Sequence, residues 1–150
     1  SSAIIKNAIA VSPVVHKLID AMKKVYADKQ IDISVVVGEE EFFGDERDLM
    51  ELLGNLVDNA CKYGDGQVQI SVSKDSADQN LMFEIEDNGT GIPLEKREGV
   101  LARGMRLDSQ EAGQGIGLAV VVEIVARYNG DISINDSELG GTQISVSFPT

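Results

Sequence analysis

The sequence predicts a two-layer α/β sandwich, a largely antiparallel sheet of about five strands laid on three helices. Three observations predict it. Residues 68–72, 81–85 and 143–148 alternate apolar and polar side chains with the period of a half-buried strand. Residues 15–26 and 49–60 instead repeat their apolar side chains every three or four positions, as an amphipathic helix does. Turns of hairpin length, residues 75–80 and 139–141, separate successive strands and favour antiparallel neighbours.

A chain of 150 residues suits a single domain, 1–150, with a core of real size. Its 43% hydrophobic and 25% charged residues are ordinary for a globular protein. No apolar run approaches bilayer-spanning length, so this domain is not expected to be membrane-embedded. The first residue is Ser1 rather than methionine, and the expectation is a domain excised from something longer, with residues 1–6 as linker. A net charge of −12 argues against a nucleic-acid partner. A polyphosphate ligand would need its positive charge supplied locally, and Lys62, Lys96, Arg97, Arg103 and Arg106 are the candidates. Cys61 has no second cysteine to pair with, which excludes an internal disulfide and a thiolate zinc site; it reads as a small packing residue.

In chain order, residues 7–11 read as a short strand. Ser12 and Pro13 follow as a helix start, a capping hydroxyl before a proline. Val15, Leu18, Ile19, Met22, Val25 and Tyr26 form that helix's apolar stripe, and His16, the single histidine, sits on the outer face. Residues 31–37 alternate as a strand. The acidic run at 39–48 reads as solvated, its last members suiting a helix N-terminus. The second helix carries Leu49, Leu52, Leu53, Leu56, Val57 and Ala60 on one face and is expected to end on Gly64 in a left-handed cap. Along the same helix Glu51, Asn55, Asn59 and Lys62 line up at intervals of four, four and three. The stripe is either a solvated helix face that happens to carry asparagine or, since asparagine is a mediocre helix former, a coordinating line: an amide oxygen is a hard ligand for Mg²⁺, and an ammonium beside it can meet phosphates.

Parity then isolates Asp87. It lies two residues beyond Ile85 and shares the inward face of Leu81, Phe83 and Ile85, where an unpaired carboxylate is costly. Asn88, Gly89, Thr90 and Gly91 follow as a flexible turn, either one that a ligand approaches closely or a plain strand-to-loop turn with Asp87 as its cap. Residues 92–112 have few apolar side chains and read as a functional loop, with a helical turn near 95–101. Gly113, Gln114, Gly115, Ile116, Gly117 and Leu118 open the next apolar segment, where glycines before a helix expose amides to an anion. Residues 118–126 are read as a buried helix despite their valines. Residues 131–136 and 143–148 close the chain as a hairpin, with Thr142 on the inward parity.

These motifs together resemble the catalytic, ATP-binding domain of sensor histidine kinases, within the family that also includes type II topoisomerase, Hsp90 and mismatch-repair ATPases. The marks are Asn55-Leu56-Val57-Asp58-Asn59-Ala60-Cys61-Lys62-Tyr63, Asp87-Asn88-Gly89-Thr90-Gly91-Ile92-Pro93, Gly113-Gln114-Gly115-Ile116-Gly117-Leu118 and a closing Gly140-Gly141-Thr142. The wording at 59–63, 96–98 and 113–119 looks most like PhoQ-type sensors of Gram-negative bacteria. The resemblance implies a mixed sheet (the Bergerat-type fold), an ATP lid over residues 93–112, and ATP and Mg²⁺ as cofactors.

It also implies roles for single residues. Asn59 would ligate Mg²⁺, Lys62 would reach the phosphates and Tyr63 would lie along the nucleotide. Asp87 would accept from the adenine amino group, supported by Thr142, with Gly89, Gly91 and Ile92 around it. Gly113, Gln114, Gly115, Ile116, Gly117 and Leu118 would serve the phosphate chain, with Arg103 and Arg106 in the lid. Asn55, Lys62 and Arg106 are the catalytic candidates. Asn55 stands where hydrolytic relatives carry a glutamate, which favours transfer to a histidine over hydrolysis. Two departures are Leu101, where many relatives have phenylalanine, and Glu111, where PhoQ-type relatives have arginine. The implied partners are a dimerisation domain carrying the acceptor histidine and a response regulator, the parent being a bacterial inner-membrane sensor with this domain, a monomer when isolated, in the cytoplasm. The alternatives are an ATPase of the same fold or an anti-sigma-like partner switch.

Overall fold

The computed structural model describes residues 6–103 and 118–150, with the backbone only at 100, 102 and 103. Its elements are β1 (Asn7–Ala10), α1 (Val11–Val25), a 3₁₀ turn (Ala27–Lys29), β2 (Asp32–Val36), β3 (Glu41–Gly44), α2 (Glu46–Tyr63), β4 (Gln67–Lys74), β5 (Leu81–Asp87), α3 (Leu94–Arg103), α4 (Ala119–Arg127), β6 (Asp131–Asp136) and β7 (Thr142–Phe148). Five strands form one sheet in the order β2-β4-β5-β7-β6. β2 runs parallel to β4 and every other pairing is antiparallel, so the sheet is mixed and largely antiparallel, as expected.

The sheet's parity puts one set of side chains inside. Val68, Ile70 and Val72, then Leu81, Phe83 and Ile85, then Ile144, Val146 and Phe148 are all buried. The register aligns Ile70 with Ile85 and Ile85 with Ile144, so three strands present one continuous apolar surface. Onto it pack α1, α2 and α4, with α2 in the middle touching both other helices and strands β4 and β5. The six apolar residues expected on the inner face of α2 are all buried, together with Cys61. Burial pushes the Cys61 thiol up to about 11, which fits packing and not reactivity.

Four sequence expectations are corrected. α1 begins at Val11 with Ala10 as its N-cap, two residues ahead of Ser12, and the Val11 amide donates to the Glu40 carbonyl at 3.1 Å. At its other end Val25 is 68% exposed and leaves the apolar stripe, whereas Val14 joins it. Gly64 is extended, with φ −75°, not left-handed. Glycine is required there for closeness: a Cβ would lie 2.5 Å from the Ala60 carbonyl oxygen and 3.0 Å from the Asp87 Cβ. Finally, residues 94–103 form a ten-residue helix where a loop with one helical turn was expected.

β3 was not anticipated at all. It pairs with β1 in a separate two-stranded sheet, and its Phe42 is buried while Phe43 is 54% exposed. A four-residue strand beginning in an acidic run offers too few alternations to be read locally. α4 is helical as read, its valines overridden by burial of Val121, Ile124 and Val125.

Candidate functional site

Two asparagines of one helix meet opposite fates. Asn55 donates its Nδ2 to the Glu51 carbonyl at 2.7 Å, an intrahelical bond that occupies the amide. Asn59, one turn on, has a buried Nδ2 without a hydrogen-bond partner. An unpaired buried N–H donor is expensive. Asn59 is one of the residues that line a cavity of about 130 Å³, with Leu56, Ala60 and Tyr63 of α2, Ile85 and Asp87 of β5, Thr90, Gly91 and Ile92 of the following loop, and Thr142 and Ile144 of β7.

Asp87 forms the polar floor. The β4–β5 and β5–β7 ladders bury it to 8% exposure, on the inward parity the alternation predicts. The Gly89 amide donates to its Oδ1 at 2.8 Å and the Thr142 amide to the same oxygen at 3.4 Å. Burial pushes the carboxyl above its ordinary range, and the two amides pull the other way. Thr142, itself buried, stands beside it at the start of β7.

Glycines make this arrangement fit. A Cβ on Gly141 would lie 2.3 Å from the Asp87 carboxylate and 2.5 Å from the Gly89 nitrogen. One on Gly89 would lie 2.3 Å from the Tyr63 carbonyl oxygen. Gly91 adopts φ +82°, in the region that favours glycine. The turn is braced by Asn88, whose Oδ1 accepts from the amides of Asp65 and Gln67 at 2.8 and 3.0 Å. Asn88 thus ties the Asp87 loop to the end of α2. The sequence reading placed it in the motif without a task, since the partner amides are more than twenty residues away.

The remaining expected residues divide. Tyr63 lines the cavity, and the Lys62 ammonium sits 5.4 Å from its ring centroid. Among the described residues Asn55, Lys62 and Leu118 stand outside the cavity lining, and Leu118 is wholly buried. Gly89 is also outside the lining and acts on it through its amide bond to Asp87. Arg97 was a candidate for phosphate contact, but its Nε donates to the Ile92 carbonyl at 2.9 Å and its guanidinium pairs with Asp136. It braces the start of α3 instead. The Arg103 side chain, Arg106, Glu111, Gly113, Gln114, Gly115, Ile116 and Gly117 lie outside the described residues.

His16 is on the outer face of α1, bonded through Nδ1 to the Ser12 carbonyl at 2.8 Å, as a solvated helix histidine should be. For a metal, the donor set is spare: among the described residues no cluster of three or more His, Cys, Asp or Glu side chains could hold one. A single asparagine beside a cavity does suit Mg²⁺, which keeps waters and phosphate oxygens and asks the protein for one or two ligands.

Comparison with known proteins agrees with this geometry. Residues 44–150 match the family described as histidine kinase-, DNA gyrase B-, and HSP90-like ATPase. The chain is 43% identical over 139 residues to the sensor protein PhoQ of Escherichia coli (strain K12), covering 92% of this chain and 28% of that one. It is 44% identical over 139 residues to the virulence sensor histidine kinase PhoQ of Salmonella typhimurium (strain LT2), with the same coverage. The chain therefore spans 28% of the length of these curated relatives. Among solved structures, a mycobacterial sensor histidine kinase, MprB, superposes with a TM-score of 0.81 at 25% identity, over 97% of each chain. The ATP binding domain of PrrB from Mycobacterium tuberculosis shares the fold, with a TM-score of 0.78 at 24% identity over 96% of each. No helix among the described residues is long and apolar enough to cross a membrane. The chain belongs to the histidine kinase-, DNA gyrase B- and HSP90-like ATPase family.

Proposed function

We propose that this family member is the catalytic domain of a two-component sensor histidine kinase, binding Mg·ATP and transferring the γ-phosphoryl group to a histidine on a separate dimerisation domain. The observation that carries the reading is one cavity whose lining brings together a carboxylate oriented by a backbone amide, Asp87, and the side-chain amide of Asn59. The inner part, lined by Leu56, Ile85 and Ile144, offers an apolar slot for a planar base. At its floor Asp87 accepts from an exocyclic amino group, its Oδ1 already oriented by two amides. Thr142 supports it, and Tyr63 lies along the nucleotide.

Asn59 would hold the metal through its side-chain oxygen and Lys62 would meet the phosphates. When bound, Mg²⁺ neutralises phosphate charge and fixes the orientation of the transferred group. Arg103, Arg106, Gln114 and the second glycine segment complete the phosphate contacts. In the transfer the bond between the γ-phosphorus and the bridging oxygen breaks, a phosphorus–nitrogen bond to the acceptor imidazole forms, and ADP leaves. Asn55 cannot take a proton from water as a carboxylate would, and its amide is already engaged, which favours transfer over hydrolysis. The parent is proposed to be an inner-membrane sensor of a Gram-negative bacterium that presents this domain to the cytoplasm and hands the phosphoryl group to a response regulator.

The test incubates the chain with radiolabelled Mg·ATP, alone and with a dimerisation domain carrying the acceptor histidine. Label is expected on the supplied histidine and not on this chain. ATP binding without label on the supplied histidine would overturn the transfer reading.

A further inference from the structure

The end of α2 that carries Asn59, Lys62 and Tyr63 is held from a segment lying before the residues that match the family. The last carbonyls of a helix lack intrahelical partners, and the helix dipole leaves this end negative. Here Lys29, at the end of the 3₁₀ turn after α1, points its ammonium at them. Its Nζ donates to the carbonyl oxygens of Cys61 at 2.8 Å and Lys62 at 3.0 Å, and stands 3.5 Å from that of Gly64. Three residues earlier, the Tyr26 hydroxyl donates to Asp58 Oδ1 at 2.6 Å, beside Asn59 in sequence. The Asp32 amide continues the contact, donating to the Gly66 carbonyl at 2.8 Å. Beyond it, Asn88 joins the same loop to Asp87.

We infer that Lys29, with Tyr26, is a positioning residue for the nucleotide site: it sets the last turn of α2 against the Asp87 loop and offsets the negative helix end beside which a polyphosphate must bind. The inference rests on the nucleotide reading above. Neither residue touches the cavity, and both act through backbone and through Asp58. A helix end closed by one side chain reaching more than thirty residues along the chain keeps Asn59 and Lys62 at fixed separation. Without Lys29 the Cys61 and Lys62 carbonyls lose this ammonium, while the Gly64 amide stays bonded to the Ala60 carbonyl at 2.9 Å.

Calorimetric titration with Mg·ATP tests this on wild type, Lys29→Met, Lys29→Arg, Tyr26→Phe and the double variant Tyr26→Phe/Lys29→Met. Leu81→Val and Leu81→Ala, six residues along β5 from Asp87, serve as controls bracketing the loss of melting temperature. Lys29→Met is expected to weaken binding about fivefold and to raise the Mg²⁺ concentration needed at fixed ATP. Lys29→Arg is expected to stay within about twofold of wild type and the double variant to be weaker than either single one. Hydrogen exchange, which needs no ligand, is expected to quicken at the amides of residues 63–67 in Lys29→Met and not in β5. Unchanged affinity in Lys29→Met, or an equal loss in a Leu81 control of matched stability, would overturn the positioning role alone. Failure of wild type to bind Mg·ATP would overturn the nucleotide reading and this inference with it.

Discussion

The two ends of the sandwich use the same strands and the same parity for opposite purposes. At one end Leu81 stands opposite Phe148 in the ladder, and Phe42, Phe83, Tyr128 and Phe148 pack as edge-to-face rings, centroids 5.0 to 6.1 Å apart, beside a pocket of about 300 Å³ that Phe42, Leu81, Tyr128 and Phe148 help to line. At the other, the inward positions go to Asp87 and Thr142, glycines replace side chains, and the cavity has Asn59, Asp87 and Thr142 in its lining. α2 runs from one end to the other. Its N-terminus is fastened by side chains of α4 and the residue after it: Arg127 donates to Asp48 at 2.7 Å, and the Tyr128 hydroxyl donates to Asp48 and accepts from the Asp45 amide at 3.0 Å. Burial and the Asp48 contact push that hydroxyl up to about 12, so it stays a donor at any physiological pH. What the difference teaches is where stability and function reside. The aromatic end accumulates packing, and the end at Asp87 carries an unpaired amide and a desolvated carboxylate, which the proposed nucleotide site would use.

That contrast can be broken by four measurements. The largest expected effect is Phe148→Ala, which should cost about 3–5 kcal/mol in denaturant unfolding while leaving the nucleotide affinity of the folded fraction unchanged. Altered affinity in the folded fraction would mean that the two ends are not separable. Asp87→Asn should do the reverse, weakening ATP binding on the order of a hundredfold, about 2.7 kcal/mol, with stability at neutral pH held or raised. Asn keeps an oxygen acceptor for Gly89 and Thr142 but loses the charge whose burial is unfavourable.

The pH dependence follows from the same shift. Because the folded carboxyl has a raised pKa, its protonated form is the one the fold favours. Stability from this group is therefore fully present below the ordinary carboxylate pKa and is lost as pH rises through the folded value. The advantage of Asp87→Asn over wild type should vanish on acidification through that window, and a gap that persisted or widened in acid would contradict the assignment. The smallest effect is Asn59→Ala. It should weaken Mg²⁺-dependent binding about tenfold, about 1.4 kcal/mol, while raising stability by about 0.5–1 kcal/mol through removal of the unpaired amide and better helix propensity. A loss of stability in the thermal melt would show that the amide is satisfied within the fold.

The elements that sequence alone resolves are those whose signal is carried within a few residues. Alternation determined β4, β5 and β7 and, through parity alone, turned Asp87 and Thr142 inward. Periodicity determined α2 with every buried position, and the stripe at Asn55, Asn59 and Lys62 was visible before any fold was. What only the tertiary structure decided depends on partners far along the chain. β3 exists because β1 is there to pair with it, and Gly64 is glycine because Asp87 is near, not because the helix turns left-handed. Asn55 and Asn59 look alike in sequence, and only the positions of Glu51 and the cavity make one engaged and the other orphaned. Arg97 reads as a free cation until Asp136 is found against it. Lys29, a plain surface lysine in the sequence, becomes the closure of the α2 terminus once Cys61 and Lys62 are brought to it. The physical reason is common to all of them: secondary structure answers to local periodicity, whereas the state of a polar group is set by whichever donor or acceptor the fold places within about 3 Å of it.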